Sequence, residues 1–575
     1  MNPVANQRPY TVSDAILDVL KAHGVTHLFG YPGGAILPFY DALPFHPEIR
    51  HVLTRNEQGA AFMAGGFARS TKKLGVCCAT SGPGATNLVT GIFDAMMDSI
   101  PVLAITGQVP LAMIGKDMFQ EVDITGVTMP ITKHNYLLDD PKNTVSVLTE
   151  AIKVALSGRP GPVLVDVPKD ILASPHLKEF TIPEITLPAD PMDDGYKSPN
   201  GETMEAIITA LSNAERPVML LGHGVVLSHA ETEAQALIEK LGIPVVTTIL
   251  GKGILPHDHP LRLGYLGMHG HYHCNMAAHN ADVILNVGSR FDDRIVGRYD
   301  VFGHKSTVIH VDIDRSELCK VVKTGIPVQS DAKMFLTTLL KHRDLRPLKI
   351  QAWLGTIKTW ETEQPYEKTT PHFSIRNCLK AIDDLIKADP ERYIVVVDVG
   401  QHQMWAMLSC SVNDPTKWLA SGGAGSMGFG LPSAIGAAFA HPEKTVLCIT
   451  GDGGIQMNIQ ELGVLQDYPL NLKILVMNNG FLGMVRQWQE LFYANNYSAV
   501  AIKSPDFIKI ADAYGIHGSR ITDEAGLRST LETMLKTTTP ALVDCIVEPE
   551  ENVFPMVPGG KHLGETITSS PQDNG

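Results

Sequence analysis

Two short polar clusters follow strand-like apolar segments in the last third of the chain. They are Gly451-Asp452-Gly453-Gly454 and Asn478-Asn479. A helix-like segment separates them, so the interval from Asp452 to Asn479 has the length of one strand–helix–strand crossover. Such a crossover brings both residues to the carboxyl edge of adjacent parallel strands, which is where open α/β sheets bind ligands.

This pairing favours a magnesium–diphosphate site. Carboxylate and amide oxygens suit Mg²⁺, which usually shares its coordination with substrate phosphates. The glycines beside Asp452 let the backbone approach a diphosphate next to a helix N-terminus. A Gly turn followed by an Asn turn would give the same residues without a ligand, and a lone G-D-G would favour that simpler interpretation. The paired Asn at crossover spacing makes the metal–diphosphate site the better hypothesis.

A second candidate is Glu57, in the segment TRNEQGAAFMAGGFA at residues 54–68. If the segment is a helix, Glu57 shares one face with Ala60, Ala61, Ala64 and Ala68. The side chains on that face are smaller than those of an ordinary hydrophobic core and more apolar than those of an ordinary surface. A Glu in the first helical turn interacts favourably with the helix dipole, but this does not account for the Ala and Gly residues around it.

Three blocks of alternating strand-like and helix-like segments must position these residues. Their strands are apolar runs, as expected for parallel sheets covered by helices on both faces. In chain order the strand-like segments are HLFG, HVLTR, GVCCAT, PVLAITG and PVLVDVP, then PVMLLGHG, IPVVTTI, ADVILNVGSR and STVIHVDID, then YIVVVDVG, TVLCITGDGG, LKILVMNNG and ALVDCIVEP.

We therefore predict an α/β protein with three doubly wound parallel-sheet domains, over residues 1–185, 200–345 and 373–550. A Pro-rich, acidic segment over 181–202 is interpreted as a linker. The tail, residues 551–575, shows no core pattern, and its last dozen residues are expected to be mobile.

Composition excludes several classes of partner. A net charge of −14 over 575 residues, without a Lys/Arg run, argues against nucleic acid. The N-terminus lacks the features of a signal peptide, and no apolar run is long enough to span a membrane. The eight Cys form no C-x-x-C pair, and reduced, buried thiols are expected at the four that lie in strand-like apolar segments, namely Cys77, Cys78, Cys448 and Cys545. A cytoplasmic enzyme fits best, although an organellar protein without its leader would have the same composition.

The G-D-G and N-N clusters resemble the signature of thiamine-diphosphate enzymes. The resemblance implies that Mg²⁺ is held by Asp452, Asn479 and a main-chain oxygen near Phe481. It also implies that Glu57 matches the Glu that hydrogen-bonds the aminopyrimidine ring of thiamine diphosphate. A proton shared there shifts the pyrimidine toward its imino form, which can accept the proton of thiazolium C2.

Further segments resemble the catalytic subunits of acetohydroxyacid synthases, also called acetolactate synthases. They cover nearly the whole chain, from about residue 10 to 560, and only their joint occurrence is specific. They are FGYPGGAILPFYDAL, TSGPGATNLVTGIFDAMMDSIPVLAITGQVP, KDMFQEVDITGVTMPITKH, GRPGPVLVDVPKDI, LGMHG, VGSRFDDRIVG, DVGQHQMWA and MVRQWQELFY.

This resemblance implies an activity and an assembly. Pyruvate would be decarboxylated on thiamine diphosphate and its two-carbon unit joined to a second 2-keto acid, pyruvate or 2-ketobutyrate. The first, second and third domains would bind the pyrimidine, FAD and the Mg²⁺-diphosphate, respectively. The diphosphate would come from the partner subunit, so a homodimer is the minimum unit. A homotetramer and a small regulatory subunit stay open.

The resemblance also assigns roles to individual residues. Those expected in catalysis are Glu57, Gln120, Lys169 and Arg294, the last holding the carboxylate of the second substrate. Thiamine diphosphate is expected to contact Gly34, Gln401, His402, Met427 and the G-D-G-G cluster. FAD is expected to contact Arg159, Met268, Arg290, Asp292 and Asp312. The substrate pocket is expected to include Ala35, Phe119, Val485, Trp488 and Phe492.

Simpler interpretations stand beside several of these roles. The R-x-D-D-R segment would otherwise be a surface ion-pair cluster. Phe119, Met268 and Phe492 suit a hydrophobic core nearly as well as a site. The segment MHGHYHC at 268–274 suggests zinc, but alternating residues of a strand do not by themselves form a tetrahedron, so we expect no metal there.

Three other functions compete with this one. A pyruvate oxidase shares the three-domain plan, but Arg294 and Trp488 argue against it. A glyoxylate carboligase is disfavoured because Glu57 is present. A catalytically silent nucleotide-binding regulator is disfavoured because Glu57, Asp452 and Asn479 are all retained.

Overall fold

The computed structural model describes residues 8–185, 199–367 and 369–569. Residues 186–198 of the predicted linker and 570–575 of the predicted tail therefore lie outside the described residues. The chain forms two compact units. The first unit is the N-terminal part of the chain up to residue 187, together with residues 423–442 and 458–470, and the second unit is the rest.

The first unit contains a six-stranded sheet that is parallel throughout. Its strands are β1 (His27–Gly30), β2 (Arg50–Leu53), β3 (Gly75–Ala79), β4 (Val102–Gln108), β5 (His134–Leu137) and β6 (Val163–Pro168). Its helices are α1 (Val12–Ala22), α2 (Leu37–Ala42), α3 (Glu57–Thr71), α4 (Pro83–Asn87), α5 (Val89–Asp98), α6 (Ile124–Thr128), α7 (Thr144–Leu156) and α8 (Lys169–Leu172). The strand order is β2-β1-β3-β4-β6-β5.

The second unit contains a middle sheet, again six-stranded and parallel. Its strands are β7 (Pro217–Leu221), β8 (Val245–Thr247), β9 (Arg262–Tyr265), β10 (Val283–Val287), β11 (Thr307–Asp312) and β12 (Ile326–Gln329). Its helices are α9 (Gly201–Ser212), α10 (His223–Leu227), α11 (Glu231–Leu241), α12 (Tyr272–Asn280), α13 (Asp293–Val296) and α14 (Ala332–Leu340), and α15 (Gln351–Glu363) follows. The order is β12-β11-β10-β7-β8-β9.

The second unit also contains the third sheet. Its strands are β13 (Tyr393–Val397), β14 (Trp418–Ala420), β15 (Thr445–Gly451), β16 (Leu472–Asn478), β17 (His517–Ile521) and β18 (Ala541–Ile546). The helices are α16 (Ile375–Ala388), α17 (Gln401–Ser409), α18 (Gly430–Ala440), α19 (Asp452–Met457), α20 (Leu462–Asp467), α21 (Gly483–Phe492), α22 (Phe507–Ala513) and α23 (Glu524–Leu535). The order β14-β13-β15-β16-β18-β17 repeats that of the first sheet. Helices α18 and α20 belong to the first unit.

The predicted three parallel-sheet α/β layers are thus confirmed. The strands β3, β4, β6, β7, β10, β13 and β15 are buried along their whole length, which matches their near-continuous apolar sequence. Among the helices formed by the described residues, none combines the length and the apolarity that crossing a bilayer requires.

The small residues of α3 allow its close packing against α18 in the first unit. A Cβ on Gly66 would lie 2.2 Å from the Ser433 carbonyl oxygen, and a Cβ on Gly436 would lie 2.0 Å from the Met63 carbonyl oxygen. The two backbones therefore approach more closely than any larger side chain would permit. This contact explains much of the Ala/Gly composition around Glu57 without a ligand.

Part of the tail packs into the core, which no sequence pattern indicates. Residues 551–569 do contribute to the core of the second unit, although no periodicity marks them. The backbones of Met556 and Ile567 exchange hydrogen bonds of 2.9 and 2.8 Å. The fully or almost fully buried apolar residues of the tail are Val553, Met556, Val557 and Leu563. Irregular backbone gives no hydrophobic period, so no sequence pattern reveals this packing.

Candidate functional site

The third sheet has a switch point between β13 and β15. From β13 the chain crosses to β14 on one side and then returns to β15 on the other side. In open α/β sheets this reversal leaves a crevice at the carboxyl ends of the two strands. Gln401 and His402 begin α17 at this edge, and Asp452 begins α19 directly after β15.

Asp452 and Asn479 follow adjacent strands, β15 and β16, at this edge. The Asp452 Oδ2 accepts hydrogen bonds from the Gly480 N–H at 3.1 Å and from the Ser504 hydroxyl at 2.7 Å. The Asn479 Oδ1 accepts one from the Phe481 N–H at 3.1 Å. Burial raises the pKa of the Asp452 carboxyl, against the lowering effect of these donors. A buried carboxylate with its neighbouring amide is a donor set that fits Mg²⁺.

Two buried polar atoms of the crevice lack a hydrogen-bond partner within the described ranges, namely Gln401 Oε1 and His402 Nε2. A Cβ on Gly483 would lie 2.1 Å from Gln401 Oε1, and one on Gly451 would lie 3.1 Å from His402 Cε1. Glycine at both positions therefore keeps space around these atoms. Burial lowers the pKa of His402 to about 4, so the ring is neutral at physiological pH. Unsatisfied polar atoms beside such space fit a polar cofactor.

Residues of the tail form hydrogen bonds with side chains at this edge of the third sheet. The Gln401 amide nitrogen donates to Gln487 Oε1 at 3.0 Å and to the Glu551 carbonyl at 2.9 Å. Gln487 in turn donates to the Val553 carbonyl at 3.1 Å and accepts from the Val553 N–H at 2.8 Å. The tail thus fixes the orientation of α17 relative to α21. Ser504 and Gln487 are not predicted from the sequence as parts of the site.

Glu57 lies in the first turn of α3, at the carboxyl end of β2. The N-cap residue Asn56 accepts a hydrogen bond from the Gln58 N–H at 2.8 Å, which starts the helix at Glu57. The Glu57 side chain is almost buried, and its Oε2 accepts from the Asn87 amide at 2.9 Å. A Cβ on Gly84 would lie 3.1 Å from Glu57 Oε1. Asn87, its hydrogen-bond donor, is not predicted from the sequence.

The switch point of the first sheet, between β1 and β3, carries further predicted residues. Gly34 and Ala35 follow β1, and the Ala35 N–H donates to the Thr80 hydroxyl at 3.2 Å. A Cβ on Gly82 would lie 2.7 Å from the Gln120 carbonyl oxygen, and Gln120 itself has a φ of 59°. The loop that carries Gln120 therefore packs directly on the turn after β3.

Three other predicted residues of the first unit have different surroundings. Phe119 is 88% exposed, which contradicts the alternative that it is a core residue. Lys169 is exposed and begins α8, directly after β6. The Arg159 Nε donates to the Ser99 hydroxyl at 2.8 Å. These positions leave Phe119 and Lys169 accessible to a substrate.

Met427 lies in a loop of the first unit that is held at both ends. At the start, the Gly423 N–H donates to Asp98 Oδ1 at 2.7 Å. At the end, the Asn458 amide donates to the Gly428 carbonyl at 2.8 Å. These contacts restrict the backbone that carries Met427.

The second unit brings together four residues predicted for substrate or FAD. The Arg294 Nη1 lies 3.2 Å from Met268 Sδ, and its Cζ lies 5.7 Å from the Trp488 ring centre. The Trp488 and Phe492 rings meet edge to face at 5.8 Å. Val485, one turn before Trp488, is half exposed. A half-exposed guanidinium against an indole suits a small organic anion with an apolar end.

The R-x-D-D-R segment forms few ion pairs. The Arg294 Nε lies 3.9 Å from Asp293 Oδ2, a weak contact between exposed groups. Asp292 caps α13 by accepting from the Arg294 N–H at 2.9 Å, while Arg290 precedes it in the loop after β10. Asp312 ends β11, and its Oδ1 accepts from the Asp314 N–H at 2.8 Å.

The segment MHGHYHC is not a strand. Helix α12 begins at Tyr272, so the alternating His residues do not share one strand face. The His273 Nε2 lies 2.9 Å from the Leu263 carbonyl oxygen. Burial lowers the pKa of His269 to about 4.

Comparison with known families matches all three sheets. Residues 10–127 match the thiamine pyrophosphate enzyme N-terminal TPP binding domain, residues 204–339 match the thiamine pyrophosphate enzyme central domain, and residues 398–545 match the C-terminal TPP binding domain.

Individual proteins are similar over almost the full chain. An acetolactate synthase large subunit of Cyanidium caldarium is 44% identical over 99% of this chain and 98% of the relative. One from Lactococcus lactis is 42% identical over 99% and 98%, respectively. The acetolactate synthase isozyme 2 large subunit of Escherichia coli is 42% identical over 96% and 98%.

Proposed function

The chain belongs to the acetolactate synthase large-subunit family of thiamine pyrophosphate enzymes, and on that premise we propose that it catalyses the acetolactate synthase reaction. Pyruvate loses CO₂, and its two-carbon unit joins a second 2-keto acid. The product is 2-acetolactate from a second pyruvate, or 2-aceto-2-hydroxybutyrate from 2-ketobutyrate. This is the first common step of branched-chain amino acid biosynthesis. The observation that carries the proposal is similarity over almost the full chain, in a sequence that has Glu57, Asp452 and Asn479 in the segments that resemble the family motifs.

The proposed cofactors are thiamine diphosphate and Mg²⁺. Asp452, Asn479 and the main chain at Phe481 would hold the metal, and Gln401 and His402 would supply polar contacts to the diphosphate. The unsatisfied Gln401 Oε1 and His402 Nε2 support this assignment. When bound, thiamine diphosphate supplies the electron sink for decarboxylation.

We assign proton handling to Glu57. Its carboxyl is nearly buried and hydrogen-bonded on one oxygen by Asn87. The Asn87 contact restricts the carboxyl to one orientation, and the second oxygen stays available to share a proton with a ring nitrogen. Exclusion of water keeps that proton between the two groups.

We assign recognition of the second 2-keto acid to Arg294 and Trp488. The guanidinium binds the substrate carboxylate, and the indole covers its alkyl group. The contact of 5.7 Å between the two side chains holds them as one surface. A larger alkyl group covers more of the indole, which favours 2-ketobutyrate over pyruvate.

FAD is proposed for the middle sheet. Counted from β9 to β12, its strand order has the 3-2-1-4-5-6 arrangement of dinucleotide-binding sheets, with the switch point between β7 and β10. A Cβ on Gly288, after β10, would lie 2.6 Å from Gly224, after β7, so these turns pack backbone to backbone. We propose that the flavin is structural and that Met268, Arg290, Asp292 and Asp312 contact it.

The proposed active enzyme is a homodimer, or a homotetramer of paired dimers, with thiamine diphosphate bound between subunits. A small regulatory subunit is a further proposed partner, because several relatives are named large subunits. We propose a cytoplasmic location, which is consistent with eight cysteines that form no disulfide with one another.

One assay tests the proposed activity. Purified protein receives thiamine diphosphate, Mg²⁺, FAD and pyruvate without an electron acceptor, and acetolactate and CO₂ are measured. We expect one acetolactate for each CO₂ released. Oxygen-dependent acetate and peroxide would instead identify a pyruvate oxidase, and absence of turnover would identify a silent binder. Addition of 2-ketobutyrate should divert the product to 2-aceto-2-hydroxybutyrate.

A further inference from the structure

Glu461 is a buried carboxylate in the first unit that has no role in the site described above. It ends the 3-10 turn Ile459–Glu461 just before α20 and is fully buried. Its two oxygens accept from the Arg55 N–H, Oε1 at 3.2 Å and Oε2 at 3.1 Å. The sequence distance between the partners is 406 residues, so no local motif requires the contact.

The same carboxylate lies against the first turn of α3. A Cβ on Gly59 would lie 2.4 Å from Glu461 Oε1, so the contact requires glycine at position 59. Arg55 is also held through its side chain, which donates to the Gly463 carbonyl at 2.8 Å and to Asp467 Oδ2 at 2.6 Å. Glu461 is therefore hydrogen-bonded to the backbone before Glu57 and packs against the backbone after it.

We propose that Glu461 is a positioning residue for Glu57. It accepts hydrogen bonds from the Arg55 N–H, two residues before Glu57, and its carboxylate packs against Gly59, two residues after Glu57. A rotation of this first turn would swing the Glu57 carboxyl away from its working position. The inference rests on the proposed role of Glu57 toward thiamine diphosphate.

Charge around Glu461 makes the contact sensitive to pH. The charged groups that face it are the Arg55 guanidinium, itself paired with Asp467, and the Glu57 carboxylate. Burial raises the pKa of Glu461 to about 7, because desolvation outweighs the donors at Arg55 and Asn56 and the Arg55 charge. Protonation converts one of its two acceptor oxygens into a hydroxyl and weakens the hold on Arg55.

The test compares Glu461→Leu, Glu461→Gln and Glu57→Gln with wild type in the holoenzyme. Asp467→Asn is the matched control, because it removes a charge from the same Arg55 contact but leaves the Arg55 N–H bonded to Glu461. The first readout is deuterium exchange at C2 of bound thiamine diphosphate without pyruvate. The second is amide hydrogen exchange of the peptide that covers residues 54–60.

Glu461→Leu should slow C2 exchange by about tenfold or more, as expected for a displaced catalytic group, and should speed amide exchange at 54–60. Glu461→Gln should give a smaller loss and abolish the dependence of C2 exchange on pH near 7. Asp467→Asn should match wild type in both readouts.

Wild-type C2 exchange in Glu461→Leu, with Glu57→Gln slow, would overturn the positioning role and leave the proposed function intact. Normal C2 exchange in Glu57→Gln would overturn both. If Glu461→Leu does not fold, Glu461→Gln decides the question: an unchanged pH profile would refute the inference, and a flattened one supports it.

Discussion

The first and third sheets share one strand order but differ in how the polar groups at their carboxyl edges are paired. In the first sheet, Glu57 is hydrogen-bonded by Asn87 and its helix is held by Glu461. In the third sheet, Gln401 and His402 each present a buried polar atom for which the described chain offers no partner. The Glu57 carboxyl is thus held by neighbouring side chains of the protein, whereas Gln401 and His402 each keep a buried polar atom without a partner in the described chain.

This difference corresponds to the two roles proposed above, proton sharing by Glu57 and diphosphate–metal binding at the edge of the third sheet. A proton-sharing carboxyl works best when the protein fixes its orientation in advance. A diphosphate–metal site must instead leave donor and acceptor capacity open for the ligand. Topology alone supplies only the edge, since equal strand orders carry these two different arrangements.

Activity should be more sensitive to loss of one side chain at the carboxyl edge of the third sheet than at that of the first sheet. We expect Asp452→Ala to lower acetolactate formation by about a thousandfold, because the proposed Mg²⁺ site loses its charged ligand. Isothermal titration with thiamine diphosphate and Mg²⁺ should show no binding at concentrations that saturate wild type. Ser504→Ala, which removes only a hydrogen bond to Asp452, is the control and should retain most activity. Near-normal binding by Asp452→Ala would remove this residue from the metal site.

Removal of the Glu57 carboxyl from the carboxyl edge of the first sheet should lower turnover without affecting binding of thiamine diphosphate. Glu57→Gln is expected to lower kcat by about a hundredfold, as for loss of a general acid–base group, while the far-ultraviolet spectrum stays as in wild type. Asn87→Ala should cost less, because the carboxyl remains and only its orientation is loosened. The comparison between the edges fails if Glu57→Gln loses the cofactor as completely as Asp452→Ala.

Replacing a residue of the proposed acceptor pocket should reduce the preference for 2-ketobutyrate without abolishing the reaction. Trp488→Leu is expected to lower the preference for 2-ketobutyrate over pyruvate by about tenfold, since one methylene against an apolar wall contributes about 1–3 kcal/mol. Competition between the two acceptors, read as the ratio of the two products, measures this directly. Phe492→Leu, one turn further along α21, is the control for aromatic loss and should change the ratio less. An unchanged ratio in Trp488→Leu would contradict its assignment to the acceptor pocket.

The interior strands of the three sheets are predictable from the sequence, whereas most of the edge strands are not. Interior strands are buried on both faces and stand out as apolar runs. Five of the six edge strands are absent from the sequence-based prediction: β5, β9, β12, β14 and β17. Most of these carry polar residues on partly exposed faces, as His134–Leu137 and His517–Ile521 do, and β14 has only three residues. Partly exposed edge strands lack the continuous burial that produces the signal, and the buried strand β14 is too short to show it.

Site residues divide in a similar way. The spacing along one crossover is enough to predict that Asp452 and Asn479 lie at the same edge of the sheet. Their supporting partners come from distant segments: Asn87 is 30 residues from Glu57, and Ser504 is 52 residues from Asp452. Such contacts depend on the assembled fold, and no residue pattern within one segment encodes them.

Close packing of α3 should be measurable as stability. Gly66→Ala places a methyl group 2.2 Å from the Ser433 carbonyl oxygen, so we expect a loss of about 1–3 kcal/mol from overpacking. Gly355→Ala is the matched control, because Gly355 lies inside α15 with open space around its Cβ position. There the same change should stabilise slightly, by about 0.5–1 kcal/mol. Equal melting temperatures for the two variants would contradict the tight α3–α18 contact.

The most gradual expected effect is the pH dependence of stability at Glu461. Its pKa is about 7 in the folded chain and near 4.5 when exposed, so the native state binds a proton that the unfolded state releases between these values. Its contribution to stability is therefore fully present below about pH 4.5 and is lost as pH rises through 7, by at most about 3 kcal/mol.

The variant Glu461→Gln tests this dependence, because its side chain cannot ionise. Its melting temperature should rise relative to wild type as pH increases from 5 to 8. The Asp467 carboxylate is half exposed, so Asp467→Asn should show no such trend. A difference between Glu461→Gln and wild type that stays constant over this range would mean that the buried carboxylate is ionised throughout. The first edge would then carry a fixed negative charge instead of one that responds to pH.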